Sequence, residues 1–400
     1  MRVASSGSWR RRILWAGALA LLLAVMFFFG VFPRLLAWRL NQQASSSPPS
    51  MNAQAQSLHA KLLVVDLHAA TLLWSRDLLA RGGWGHVDLP RLTDGNVALQ
   101  VFSAVTRLPR RRDGGSGAQE SDLSDLMTPL VVAQLWPPAT WSSGLQRAMY
   151  QADKLKRLVR RAGSRLIAVR SKADIDRLLL ARSQAQANGL PPPVGVMLSL
   201  DGPGALEGKL ASLDTLFDAG FRMAVPPVSF DDEPGNPRPG GLTPIGRQWL
   251  ARMEAKGMVV DLAGVPEPRL QEVLAQARRP VVASHTGLRG TCDNPRNLSD
   301  DQARGIAATG GLIGIGYWRE AVCDLSIDAI VKAIRYAVAL VGVEHVALGS
   351  NFDGGAQTPM DAAGLAHLTH SLTAAGFSDD DIAKLAGGNA LRVLRDLLPP

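Results

Sequence analysis

Val65-Asp66-Leu67-His68-Ala69-Ala70 is the stretch on which the fold turns. It closes an apolar run over residues 62–69, the pattern of a strand buried on both faces. Its last turn outward carries two polar groups, Asp66 and His68. Alternate residues of a strand point to one side, so His68 and the residue at 70 share a face. Position 70 is an alanine, whose methyl group binds no cation.

Similar runs recur along the chain. Residues 97–105, 194–202, 221–230, 257–264, 279–287, 311–318 and 345–354 read as further strands. Most are continuous rather than alternating, as parallel strands between two layers require. Amphipathic stretches separate them, at 204–219, 245–256, 266–278, 299–309 and 325–342. Asp300 and Asp301 suit the N-terminus of one of these helices. Eight strands alternating with helices predict an α/β fold, a (β/α)8 TIM barrel, over residues 58–400. Residues 106–193 read as an insertion of helices and loops after the second strand. Residues 377–398 read as a final helix pair broken at Gly387-Gly388.

Ahead of the barrel, residues 13–32 (ILWAGALALLLAVMFFFGVF) are apolar without a break, long enough to cross a bilayer as a helix. Arg10, Arg11 and Arg12 precede this run, so residues 1–12 are expected to stay cytoplasmic and the barrel to be exported, periplasmic or extracellular. The run is longer than the apolar part of a usual signal peptide, and no small-x-small cleavage site follows it. These features favour an uncleaved anchor over a cleaved leader. Residues 33–57 are expected to be a flexible linker, polar and rich in Ser, Pro and Gln from residue 41.

The chain has 400 residues, 46% hydrophobic and 20% charged, the composition of a protein with a large core. Its net charge is +8. Six arginines and no acids lie in residues 1–57, which leaves 37 basic against 35 acidic residues for the rest. The basicity therefore belongs largely to the N-terminal segment and is no argument for nucleic acid. Arg107 and Arg110 to Arg112 read as a solvated surface turn.

Chemistry in such a barrel sits at the carboxyl ends of the strands. Asp66 and His68, Ser199 and Asp201, Asp261, Ser284 and His285, and Asn351 and Asp353 cluster there. One polar residue at a strand end is ordinarily a cap; several converging ends suggest a site. His59, His86, His345, His367 and His370 lack such settings and read as packing or surface residues.

At these positions the chain resembles the membrane dipeptidase family, the renal-dipeptidase-like zinc peptidases. The resemblance spans about residues 60–397. It is carried by residues 82–100 (GGWGHVDLPRLTDGNVALQ), 280–301 (PVVASHTGLRGTCDNPRNLSDD), 310–318 (GGLIGIGYW), 342–354 (GVEHVALGSNFDG) and 387–394 (GGNALRVL). It implies a metal-dependent hydrolase barrel holding two zinc ions joined by one bridging carboxylate. Carried across residue by residue, it implies metal ligands at His68, Asp201 and His285. Asp201 takes the place of a bridging Glu, one methylene longer. Two ligand positions are lost, at Ala70 and Gly264. A substrate-binding His falls at Val228. Arg296 matches the Arg that meets the substrate carboxylate. In the last strand, Asn351 stands where the family has a carboxylate, and Asp353 is retained; with Asp201 these are the catalytic candidates.

Catalytic zinc usually takes three protein ligands plus water. Here each ion of a pair would keep one histidine and a share of Asp201. The residues thus predict one weakly held ion or none. Asp231 and Asp293 are candidates to replace a lost ligand. The leading expectation is a membrane-anchored member of this family, impaired or inactive as a catalyst, with a dipeptide or peptide-like ligand. The alternative is an active metallodipeptidase with an altered, mononuclear zinc site. A homodimer is compatible with the resemblance. The resemblance also implies a disulfide between Cys292 and Cys323, the only two cysteines. Two unpaired thiols are the other reading, and an exported domain suits the bridge.

Overall fold

A computed structural model of the chain describes residues 6–44, 51–107, 127–226, 242 and 244–400. Nine strands form one parallel sheet: β1 (Val64–Ala69), β2 (Val97–Val105), β3 (Leu166–Ala168), β4 (Val194–Asp201), β5 (Phe221–Ala224), β6 (Val259–Val260), β7 (Val282–Thr286), β8 (Leu312–Ile315) and β9 (Val346–Leu348). Their order is β6-β5-β4-β2-β1-β9-β8-β7, with β3 beside the first half of β4. The two ends of this curled sheet meet at a single bridge, Asp261 to Val282, where the Leu262 N–H donates to the Val282 carbonyl at 2.7 Å. The eight expected strands are thus β1, β2 and β4 to β9. Sequence reading missed β3, whose three residues are too few to show a period.

One face of the sheet contributes a residue from each of eight strands to a common core: Val65 and Leu67, Leu99 and Val101, Met197, Met223, Val259, Val282, Leu312 and Ala347. The C-terminal helix Asn389–Leu397 adds Leu391, Leu394 and Leu397 to it. The other face packs against the surrounding helices through residues such as Phe102, Leu198, Ile313 and Leu348. Between β2 and β4 lie helices Gly144–Ala162 and Lys172–Ala187. Helix Asp300–Ala308 starts with a reciprocal capping box, Ser299 with Gln302. The break at Gly387 is enforced by packing. A Cβ there would lie 1.9 Å from the Leu63 carbonyl at the entry to β1.

The N-terminal residues form one continuous rod: helix Ser6–Met26, a π-turn Phe27–Val31, and helix Phe32–Leu40. Trp9–Leu40 is long and apolar enough to cross a membrane, and its most apolar window is wholly unburied. The expectation of a flexible linker over residues 33–57 does not hold for the described part. Pro33 and Ala37 are buried, Gln43 bridges to Thr358, and Ala53–Lys61 is a helix capped by Asn52. Apolar side chains inside the rod and backbone bonds beyond it hold this segment, which composition read as solvated.

Candidate functional site

His68 leaves β1 through a local irregularity. Asp66 pairs with Gln100 but Ala69 pairs with Phe102, so β1 has one residue more than β2 across that interval. An inserted residue reverses the alternation. Asp66 therefore stays on the helix-facing side, while His68 and Ala70 turn to the face that carries Asp201. The same device recurs in β7. Ala283 pairs with Ile313 and Thr286 with Ile315, which turns His285 inward. Two bulges thus aim two histidines at one carboxylate, which stands at the end of β4 beside Val105.

The result is a compact cluster. One ligand atom from each of His68, Asp201 and His285 lies within 4.8 Å of the others. His68 Nε2 is 3.6 Å from Asp201 Oδ2. The rings of His68 and His285 stack at 3.7 Å, and His285 also meets Trp318. His68 is buried, yet neither of its ring nitrogens has a hydrogen-bond partner among the described residues. Orphaned buried nitrogens are costly unless something binds them.

His285 is prepared from behind. The Ser284 hydroxyl donates to Asp261 Oδ2 at 2.5 Å, so its oxygen accepts a hydrogen bond from His285 Nδ1–H, 2.9 Å away. That leaves the Nε2 lone pair free, the arrangement that orients a metal-ligating histidine. Asp261 also accepts from the backbone N–H groups of Ala263 and Ser284. Burial pushes its carboxyl up, against these hydrogen bonds. Burial and then the neighbouring His68 hold His285 well below the usual imidazole range, keeping it neutral. Burial alone would raise Asp201. The His68 ring, followed by His285 and Arg296, instead holds it well below the usual carboxylate range.

The cluster opens into a cleft of about 280 Å³ lined by Asp201, His285, Arg296, Asn351 and Ala70, with Leu40, Leu73, Trp74 and Val105 on its apolar side. Arg296 stands exposed at the rim. Asn351 lines the cleft with a left-handed backbone, φ 58°. Gly264 also has a left-handed backbone, φ 73°, with open space where a Cβ would be. Neither Ala70 nor Gly264 offers a donor atom. Val228 and Asp231 lie outside the described residues, as do Arg110 to Arg112. Asp293 is exposed and stands apart from the cluster.

Asp353 is turned away from the cleft. Its carboxylate pairs with Arg76 and accepts from Thr71 Oγ1 and the His86 N–H, both at 2.7 Å. Burial would raise it, but Arg76 and then His86 hold it well below the usual range. Asp66 is likewise a strut, bound by Gln100 Nε2 and by the Ser350 N–H and hydroxyl. Sequence reading assigned no role to Ser284 as a relay, to Arg76 and His86 around Asp353, or to Leu40. Ser284 next to His285 was the visible signal. Leu40 sat in a segment read as linker. Cys292 and Cys323 are joined as a disulfide, with Cα atoms 5.3 Å apart.

The sequence profile of a family described as membrane dipeptidase (peptidase family M19) matches residues 52–398. An uncharacterised protein in the pqqA 5' region of Klebsiella pneumoniae is 30% identical over 262 residues, 61% of this chain and 93% of that protein. Dipeptidase aclJ of Aspergillus oryzae is 26% identical over 328 residues, 78% of this chain and 70% of that protein. Among solved structures, the probable dipeptidase PvdM of Pseudomonas aeruginosa gives a TM-score of 0.69 at 22% identity, covering 86% of this chain and 97% of that one. A metallopeptidase of Rhodobacter sphaeroides, crystallised with a phosphinate mimic of the dipeptide L-Ala-D-Ala, gives 0.65 at 22% identity, covering 84% and 99%. At that identity the likeness is one of fold.

Proposed function

The chain belongs to the membrane dipeptidase family, and on that footing we propose that it is a membrane-anchored, exported member holding at most one zinc ion, impaired or inactive as a peptidase. The observation that carries this reading is the ligand set. His68, Asp201 and His285 offer three N/O donors to one ion, the number usual for a catalytic zinc. The orphaned nitrogens of His68 fit such an ion. Among the described residues a second ion finds no fit, because Ala70 and Gly264 bring no donor. Zinc supplies Lewis acidity that polarises a carbonyl group. Around it, Asp261 and Ser284 fix the ring of His285, and Arg296 offers a cation at the rim for an anionic group of a peptide-like ligand. What the site lacks is a carboxylate at 351, where the amide of Asn351 takes up protons poorly. Arg10 to Arg12 before the apolar helix and the Cys292–Cys323 bond support the anchored, exported placement.

A second reading is favoured by the free Nε2 of His285 and the relay behind it: an active peptidase with a mononuclear zinc. Metal content and dipeptide hydrolysis by the purified full chain separate the two. The first reading expects up to one zinc per chain and turnover at background. One zinc with turnover that a chelator abolishes selects the second. Two tightly bound zinc ions per chain overturn both.

A further inference from the structure

The cleft has a wall that comes from outside the barrel. Residues 36–44 run from the end of the apolar helix across its mouth. Ala37 is buried in one cluster with Ala70, Leu73, Trp74, Val105, Leu130, Val131 and Trp136, and Leu36 and Leu40 pack against it. The next residues are tied down by directed bonds. Asn41 is buried; its Nδ2 donates to the Ala37 carbonyl at 2.8 Å, and its Oδ1 accepts the Gly355 N–H at 3.0 Å. The Gln42 carbonyl accepts from His86 Nε2 and from the Thr358 N–H. The Ala44 N–H donates to the Thr358 carbonyl at 2.9 Å. Gln43 Nε2 donates to Asp361. Gly354, Gly355 and Asn351, on the loop so clamped, line the cleft, and so does Leu40 itself.

We propose that residues 36–44 are a wall of the binding site and that Leu40 is its specificity-determining side chain, admitting compact ligands to the space beside Ala70 and excluding extended ones. The physical argument is one of volume. Ala70 leaves empty what a longer side chain would fill, and Leu40 with Leu73, Trp74 and Val105 bounds that space with apolar surface. Bonds made by Asn41, Gln42, Gln43 and Ala44 anchor the chain just beyond Leu40, so the boundary is stiff. This inference does not rest on a bound metal or on catalysis.

The test uses the full chain carrying Ala70→Cys, whose thiol is the single free one because Cys292 and Cys323 are bonded. Labelling rates are measured, with a chelator present, for a small methanethiosulfonate and for a bulky polyethylene-glycol maleimide. With Leu40 intact the bulky reagent is expected to react at least tenfold more slowly, relative to its rate with a free model thiol, than the small one. Leu40→Ala should narrow that gap at least fivefold. Asn41→Ala, which releases the clamp on Gly355, should do the same. Leu35→Ala, on the exposed side of the same helix, should leave it unchanged. Equal rates with Leu40 intact, a gap that Leu40→Ala moves less than twofold, or the same narrowing with Leu35→Ala overturns the proposal. So does a thiol that no reagent reaches in any of these backgrounds, because position 70 then does not face a cleft behind Leu40. Zinc content decides the metal reading separately.

Discussion

At the scale of single residues, the site is defined by two positions that differ in how they could be mended. Ala70 has an ordinary backbone, φ −91°, and lines the cleft on the face of His68. Ala70→Asp should add a fourth ligand and raise zinc affinity at least tenfold, read by competition with a chromogenic chelator; an unchanged affinity would place the ion elsewhere. Gly264 has φ 73°, a conformation that costs a residue with a Cβ roughly 1–2 kcal/mol. Gly264→His is therefore expected to lower the thermal midpoint and to improve zinc binding less than Ala70→Asp does. Arg76 shows the opposite case, a residue whose loss leaves damage behind. Its guanidinium also donates to the Trp84 and Val87 carbonyls, each at 2.7 Å, while pairing with fully buried Asp353. Arg76→Leu should destabilise by about 3–5 kcal/mol, the cost of an uncompensated buried charge, measured by chemical denaturation. A loss under 1 kcal/mol would mean that Thr71 and the His86 N–H suffice for Asp353.

At the scale of elements, the loops after β7 and β8 are held by a covalent tie and the turn after β1 by a half-buried lysine. The Cys292–Cys323 bond closes a loop of 31 residues, and the chain-entropy model assigns it on the order of 3–4 kcal/mol. Reduction should lower the denaturation midpoint accordingly, and the unfolded, unreduced protein should contain no free thiol. Lys154, on helix Gly144–Ala162, donates to the Leu72 and Trp74 carbonyls and so fixes the turn Thr71–Leu73 below Ala70. Burial, with Arg157 and Arg76 nearby, lowers its pKa to about 7. The folded chain thus holds this proton less firmly than the unfolded chain, whose lysine titrates near its ordinary value of 10.5. The unfolded state binds more protons between these values, so this group makes stability rise as pH goes from about 7 to 10.5 and adds no slope below 7. Lys154→Met should flatten that part of the stability profile. An identical slope in the variant would assign it to other groups.

At the scale of the whole molecule, the family scaffold and the N-terminal rod form one body. The rod reaches the cleft through Leu40, and Gln42, just beyond it, reaches Asp353 through His86. A chain lacking residues 1–44 is expected to bind peptide-like probes with less discrimination by size than the full chain, measured as the ratio of dissociation constants for a dipeptide and a longer peptide. Equal ratios would confine the wall to the barrel itself. The strand runs at 97–105 and 194–202 were legible because continuous apolar residues have no stable place outside a covered parallel sheet. His68, Asp201 and His285 were legible as candidates because they stand at strand ends and match ligand positions of the family the chain resembles. Their convergence on one point was implied by the family resemblance and not by the residues' own period, since it depends on an extra residue in β1 and another in β7, and an inserted residue leaves no mark in composition or period. Local chemistry is written in residue order, so the amino-acid sequence alone determined the barrel, the apolar helix over residues 13–32 and the absence of side-chain donors at 70 and 264. Which side chains meet across a sheet depends on register and on contacts between segments far apart in the chain. Only the tertiary structure therefore decided that Asp353 is a strut, that Ser284 and Asp261 stand behind His285, and that Leu40 borders the site.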